Sequence, residues 1–280
     1  MSRLLIVTAD DLALTDGVCR AVHRAHVDGI VSATSLLAVG RSFETAATML
    51  RDTPTLDLGA HLALVGEDPP LLTASEVPTL VNARGEFPRS YRTVVARGIA
   101  GRIDPDDVRR ELSAQLERVI GIGLPVTHLD THQHTHLWPV VARVVTELAA
   151  ERAIPAVRLP VSHRRGPIGA GVAVLGARLK RRLRAAGLAS TADYDGLDAA
   201  GALDLPAFEQ SVTRLARRAR PTAEINCHPG EADDNDLHRF AWGFRWGDEL
   251  AMLTDPRARV LIERLGYRLG SFRDLGKALQ

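Results

Sequence analysis

The sequence predicts an α/β fold, a single TIM-barrel-like (β/α) barrel, irregular and of about seven strands. Three observations carry that prediction. Short apolar runs alternate with amphipathic segments along the whole chain, the pattern of parallel βαβ units. Aspartate and histidine residues recur where those runs end, which is where barrel enzymes collect their working groups. The 280 residues, 45% hydrophobic and 25% charged, suffice for one large core. No repeat, linker or low-complexity tract divides residues 1–280 into smaller units.

The elements follow in order. Leu4 to Thr8 is a continuous apolar run, the pattern of a strand buried on both faces, and it ends in Ala9-Asp10-Asp11. Thr15 or Asp16 is placed to cap a helix reaching His26 or Asp28, with Gly29 as its stop. Ile30 to Val39 reads as a second strand, Ser42 opens a helix to Arg51, and Leu56 to Leu64 is a third strand carrying His61. Residues 65–103 form a proline-rich excursion with one short helix near Tyr91 to Gly98. A loop of that length in a compact domain is usually functional. Asp104 as cap and Pro105 in the first turn start a helix running to Ile122. Pro125 to Asp130 is the fourth strand, and Pro139 opens a helix to Arg152. Ala156 to Leu159 is a short fifth strand.

Beyond Val161 the chain turns basic, with Arg178, Lys180, Arg181, Arg182 and Arg184 close together. Phosphate or nucleic acid is one reading of that run. The other is a solvated helix face with Val174, Leu175, Leu179 and Leu183 beneath it, which suits a near-neutral chain better. Pro206 to Arg218 is an amphipathic helix, and Ala223 to Cys227 is an apolar strand ending at His228. A second excursion, about 229–246, carries Trp242, Phe244 and Trp246. Helices at Asp248–Thr254 and Pro256–Leu265, a last strand at Tyr267–Ser271 and a C-terminal helix complete the pattern.

Composition narrows the function classes. The net charge of +1 gives no global field for nucleic acid or a membrane surface, and no apolar stretch approaches a spanning length. Leu4 to Val7 is too short for a signal segment. Two cysteines far apart, Cys19 and Cys227, argue by simple count against a disulfide framework, so a cytoplasmic location is the default expectation.

Four of the ten histidines fall in Thr127-His128-Leu129-Asp130-Thr131-His132-Gln133-His134-Thr135-His136. Imidazole is the commonest protein metal ligand and the usual acid/base group near neutral pH. Alternate side chains of a strand share a face, so this run can converge at a strand end. Asp10, Asp11, His61, Asp130, His132, His134 and His228 all stand at or near strand ends, and a barrel would bring them together. A carboxylate with two imidazoles leaves open positions on a divalent ion for water and substrate. The ion acidifies water and polarises a carbonyl, while a second carboxylate accepts a proton and a histidine donates one. Bland roles are open for each residue. The open readings are a helix cap for Asp10-Asp11, a core histidine for His61, and a sugar-stacking, core or dimer-contact role for each tryptophan. Asp130 would fix a ligand histidine's tautomer, and His134 and His136 would orient ligands. Arg158 would bind a substrate oxygen or pair with an internal carboxylate.

Thr8-Ala9-Asp10-Asp11-Leu12-Ala13-Leu14, Gly29-Ile30-Val31-Ser32-Ala33-Thr34-Ser35, Gly59-Ala60-His61-Leu62, the histidine run and Cys227-His228-Pro229-Gly230 resemble the YdjC-type carbohydrate deacetylases. That group includes chitooligosaccharide deacetylases and deacetylases of hopanoid biosynthesis. The resemblance runs from near residue 3 to about residue 275. It implies a barrel fold, frequent homodimers and metal-dependent hydrolysis of an N-acetyl group on a sugar. By motif position it implies Asp10 as catalytic base, Asp11, His61 and His132 as metal ligands, and His228 as proton donor or substrate contact. It implies one divalent ion, with magnesium customary and zinc better matched to two imidazoles. The family's Asp-Asp-Phe-Gly-Leu reads Asp10-Asp11-Leu12-Ala13-Leu14 here, so a glycine with access to φ > 0 is lost. Two alternatives stand beside this reading. A barrel metallophosphoesterase would need a second ion and more carboxylates, and a non-catalytic sugar-binding protein would have no use for Asp10 beside three ligand positions.

Overall fold

The computed structural model describes residues 2–275. Among these, eight strands pair in one parallel sheet: β1 (Arg3–Leu12), β2 (Ala33–Leu37), β3 (Asp57–Leu62), β4 (Val126–Thr131), β5 (Ala156–Val157), β6 (Asp193–Asp195), β7 (Thr222–Cys227) and β8 (Tyr267–Leu269). Their order is β5-β4-β3-β2-β1-β7-β6, with β8 beside β1. β8 covers Arg3–Leu5 of β1, and β2 pairs with β1 from Thr8 upward. The sheet curls into a barrel-like form. At the β5 edge an isolated parallel bridge joins Ala156 to Ala189, four residues before β6.

Among the described residues nine helices wrap the sheet: α1 (Asp16–Val27), α2 (Phe43–Asp52), α3 (Tyr91–Ile99), α4 (Pro105–Ile120), α5 (Pro139–Glu151), α6 (Pro167–Ala185), α7 (Leu205–Arg218), α8 (Trp246–Thr254) and α9 (Pro256–Arg264). The expected caps form at Thr15, whose hydroxyl accepts from Val18 N at 3.0 Å, and at Asp104, whose carboxylate accepts from Asp106 N at 2.8 Å. Ser42 precedes α2 without capping it through its side chain.

Alternation along β1 divides the core. Leu5, Val7 and Ala9 face the helices, whereas Leu4 and Ile6 point inward with Ala33, Ala156, Phe272 and Leu275. That small apolar layer plugs the N-terminal end of the barrel. Higher up, the inward positions become polar: Thr8 and Asp10 on β1, His128 and Asp130 on β4, Glu224 and Asn226 on β7, all buried. His128 lies in this interior, stacked on Phe272 with ring centroids 3.8 Å apart. A Cβ on Gly59 would come within 2.3 Å of its imidazole, so the His128 ring requires glycine there. Burial lowers the His128 pKa to about 4.

Several expectations are corrected. β2 is shorter than Ile30–Val39, because Ile30 N and Val31 N bond to Leu253 and Ala25 carbonyls instead of a strand. β6 was not expected, and three residues leave too little pattern to see. In α6, Leu179 and Leu183 are buried, but Val174 is 55% exposed and so does not lie beneath the basic face. After β8 the chain makes a short 3-10 turn, Phe272–Asp274, and the remainder of the expected C-terminal helix lies outside the described residues.

The first excursion is tied down by buried acids of α4. Glu111 accepts from Leu71 N and Leu72 N at 2.9 and 3.0 Å, and Asp107 from Thr79 N at 2.8 Å. Its near end meets the second excursion through Asp68 and Arg239, 2.6 Å apart.

Candidate active site

The C-terminal end of β1 departs from regular pairing. Register with β2 shifts between Ala9 and Leu12, and Asp11 has φ 61°. Successive strand residues normally face opposite ways, and a bulge re-aims them. Here it lets adjacent Asp10 and Asp11 both line one cleft of about 300 Å³, with His61, His132, His134 and His228. Aspartate tolerates the left-handed region better than most residues. Ala13, at the family's glycine position, keeps a left-handed backbone as well, with φ 85°. Loss of the glycine therefore has not removed the turn.

Asp11, His61 and His132 converge. Asp11 Oδ1 is 3.1 Å from His61 Nε2 and 2.8 Å from His132 Nδ1, and all three side chains are buried. The other His61 nitrogen, Nδ1, is 2.8 Å from Asp130 Oδ1, the carboxylate–imidazole support found behind metal-ligating histidines. Burial alone would raise the Asp11 carboxyl, yet His132 and His61 hold it well below the usual carboxylate range. Burial would lower His61, but Asp130 and Asp11 raise it to about 10. Two imidazole nitrogens and a carboxylate oxygen, buried and mutually close, fit one divalent ion. A second acidic group, Asp10 with His61 and Asp130, does not fit, because a guanidinium already fills it.

That guanidinium belongs to Arg158, fully buried just after β5. It bonds both Asp10 oxygens at 2.7 Å and Glu224 Oε1 at 2.8 Å, and Nη1 lies 2.6 Å from Asp130 Oδ2. Of the two readings left open for Arg158, the structure takes the internal carboxylates. Asp10 Oδ2 also accepts from Asn226 Nδ2 at 3.0 Å. Asp10 Oδ1 thus takes one of these bonds and Oδ2 two, leaving acceptor capacity on Oδ1. His228 Nε2 is 3.9 Å from Asp10 Oδ2. Its backbone N–H donates to Glu249 Oε2 at 2.6 Å, and burial pushes the Glu249 carboxyl up.

Neither His134 nor His136 hydrogen-bonds to His61 or His132 among the described residues. His136 ties Thr131 Oγ1 (2.7 Å) to the Arg158 carbonyl (3.1 Å) and is held near pKa 4 by burial. His134 lines the cleft in the left-handed region, φ 52°. Its buried Nδ1 has no partner among the described residues, which suits a substrate contact. Of the tryptophans, Trp242 lines the cleft beside His132, with ring centroids 5.1 Å apart. Trp246 is buried.

Glu224, Asn226 and Glu249 were not anticipated. For the first two a signal existed. They alternate with Ala223, Ile225 and Cys227 and continue to His228, so polar side chains recur on one face of a strand that is otherwise apolar. Glu249 sits in an amphipathic helix and gave none. Cys19 and Cys227 are both buried free thiols, and no helix among the described residues is long and apolar enough to cross a membrane.

The chain is similar over nearly its whole length to named bacterial proteins. It is 32% identical to a carbohydrate deacetylase of Geobacillus stearothermophilus, covering 99% of this chain and 100% of that one. It is 31% identical to a chitooligosaccharide deacetylase of Yersinia enterocolitica, covering 98% and 100%. The fold matches a crystallised Enterococcus faecalis protein named for cellobiose-phosphate cleavage, with a TM-score of 0.81 and 23% identity over 98% of this chain and 99% of that one. The YdjC-like protein family model matches residues 4–264, and the chain belongs to that family.

Proposed function

We propose that the protein is a metal-dependent carbohydrate N-deacetylase, hydrolysing the N-acetyl group of an amino sugar. One observation carries the reading: Asp11, His61 and His132 converge in the cleft that also holds Asp10 and His228. The full-length relatives named as deacetylases support it.

A divalent ion held by Asp11, His61 and His132 would acidify water and polarise the acetyl carbonyl. The chain's own groups do the rest. Asp10 accepts the proton of the attacking water at Oδ1, the oxygen with spare acceptor capacity. Arg158 and Asn226 fix the Asp10 carboxylate so that it need not reorganise during the reaction. Asp130 keeps His61 Nε2 turned toward the ion site. His228 gives a proton to the departing amine, and Glu249 anchors its backbone. Trp242 and Phe244 offer ring faces to the sugar, with His134 as a polar contact.

Zinc suits the two imidazoles and magnesium is the family's custom, so either is loaded in the test. The sugar is an N-acetylglucosamine oligomer, as the named relatives suggest. A glycolipid such as an N-acetylglucosaminyl hopanoid is the second form to try. Two unpaired buried cysteines favour a reducing, cytoplasmic setting.

The test is acetate release from diacetylchitobiose, longer chitooligosaccharides and a glycolipid mimic, using chelated protein before and after zinc or magnesium. Release that returns with metal and disappears in Asp10→Asn, with metal still bound, supports the reading. Bound metal without release from any acetylated sugar would mean another reaction. Protein that binds no metal would refute the ligand set.

A further inference from the structure

Helix α6 has two unlike halves. From Pro167 to Ala177 no residue carries a polar side chain, yet Ile168 and Val174 are 54% and 55% exposed. Beyond it Arg178, Lys180, Arg181, Arg182 and Arg184 are all exposed, and Arg164 and Arg165 stand before it. Residues 161–190 hold these seven of the chain's 35 basic side chains and none of its 34 acidic ones. Of the seven, Arg164 alone has an acidic partner among the described residues, Asp198 at 3.4 Å.

An exposed apolar half-helix with cations at both ends, all but Arg164 without an acidic partner among the described residues, is built for one kind of surface. Water solvates the cations but not Ile168 and Val174. A nucleic acid would use the cations and leave the apolar half idle. A second copy packed here would set two acid-free cationic segments against each other. An anionic bilayer uses both halves: apolar side chains enter the boundary of the acyl region, and arginines reach lipid phosphates. The same helix walls an apolar cavity of about 430 Å³, with Val94 and Val95 of α3 opposite Ile168, Val172 and Leu175. Tyr91, Gln133, His134 and Leu197 border both this cavity and the catalytic cleft.

We infer that α6 docks the protein on an anionic bilayer surface, with its apolar N-terminal half in the interface and its basic C-terminal half on lipid phosphates. The docking does not depend on the deacetylase reading, since none of these residues belongs to the Asp11–His61–His132 cluster.

The experiment is co-sedimentation of the whole protein with neutral phosphatidylcholine vesicles and with vesicles containing about 30% phosphatidylglycerol. Partitioning should be about tenfold or more stronger on the anionic vesicles and should weaken at about 0.5 M salt. Arg178→Glu with Arg181→Glu and Arg184→Glu should remove that preference. Val174→Asp should weaken binding several-fold, through the lost apolar contact and the added negative charge together. Thermal melts of each exposed-site variant show whether it is folded. Equal binding to both vesicles, or anionic binding untouched by the charge reversals in folded protein, overturns the inference. So does light scattering that shows a dimer dissolved by Val174→Asp with no vesicle binding, which would assign the face to a second copy.

Discussion

Arg158 bonds both oxygens of Asp10 at 2.7 Å, and the same guanidinium lies 2.6 Å from Asp130. One buried cation thus joins the proposed base to the carboxylate behind a proposed metal ligand. Burial would lower the Arg158 pKa, but Asp10, Asp130 and Glu224 hold it well above its ordinary value. Arg158→Met should lose about 3–5 kcal/mol of stability, because it strands buried carboxylates. Arg158→Lys keeps the charge but not the two-pronged grip, so it should fold more stably than the methionine variant and still lose activity. Urea unfolding and acetate release measure the two effects. A methionine variant as stable as the parent would show that the network contributes nothing to folding.

Asp130 should matter to metal affinity without being a ligand. Its Oδ1 is bonded to His61 Nδ1 at 2.8 Å, and Ser35 donates to its Oδ2 at 2.8 Å. Replacing such a supporting carboxylate typically weakens metal binding ~10–100-fold. Asp130→Asn is therefore expected to bind zinc in that weakened range, and His61→Ala more weakly still, by competition against a chelating dye. Unchanged affinity in Asp130→Asn would remove His61 from the ligand set.

The strand-end logic made most of the cleft legible in the sequence. Asp10, Asp11, His61, His132 and His228 each follow or end an apolar run, and parallel topology places such ends together. Arg158 could be located but not partnered, since its bonds to Asp10 cross 148 residues and no local pattern encodes them. Glu224 and Asn226 were readable from alternation but hidden by the apolar character of their neighbours. The spacing of His136 does not reveal its direction, and its ring ties Thr131 Oγ1 to the Arg158 carbonyl. The left-handed residues Gln133 and His134 turn the chain after β4, which ends the strand alternation that His128 and Asp130 obey. Leu175, Leu179 and Leu183 fall four apart on one helical stripe, whereas Val174 lies about half a turn round from Leu183 and so faces outward.

Ala13 holds φ 85° at a fully buried position. The left-handed region costs a non-glycine residue roughly 1–2 kcal/mol, and a β-branched side chain suffers most there. Ala13→Gly relieves that strain but loses a buried methyl and adds unfolded-state freedom, so it should fall within about 1 kcal/mol of the parent. Ala13→Val should lose about 2 kcal/mol or more, from strain and overpacking together. Chemical denaturation of the two variants checks this, and a glycine variant as damaged as the valine one would mean that the backbone conformation is not the issue.

Glu224 gives the barrel interior a pH dependence of known sign. Its Oε1 accepts from Thr8 Oγ1 at 3.0 Å and from Arg158 Nε at 2.8 Å, while its buried Oε2 has no partner among the described residues. Burial pushes the carboxyl up to about 7, against the pull of the Arg158 charge. In the unfolded chain it titrates near its ordinary value, about 4.3. Between those two values the folded protein binds the extra proton, so this group's contribution to stability falls as pH rises through the window and is fully lost above it. The change is on the order of 3 kcal/mol. Glu224→Gln stays neutral throughout, so the stability of the variant relative to the parent should improve from pH 5 to pH 8, whatever its absolute value. Paired denaturation curves at the two pH values measure that difference. A difference independent of pH would show that Glu224 does not titrate in this window and that the Arg158 charge dominates its burial.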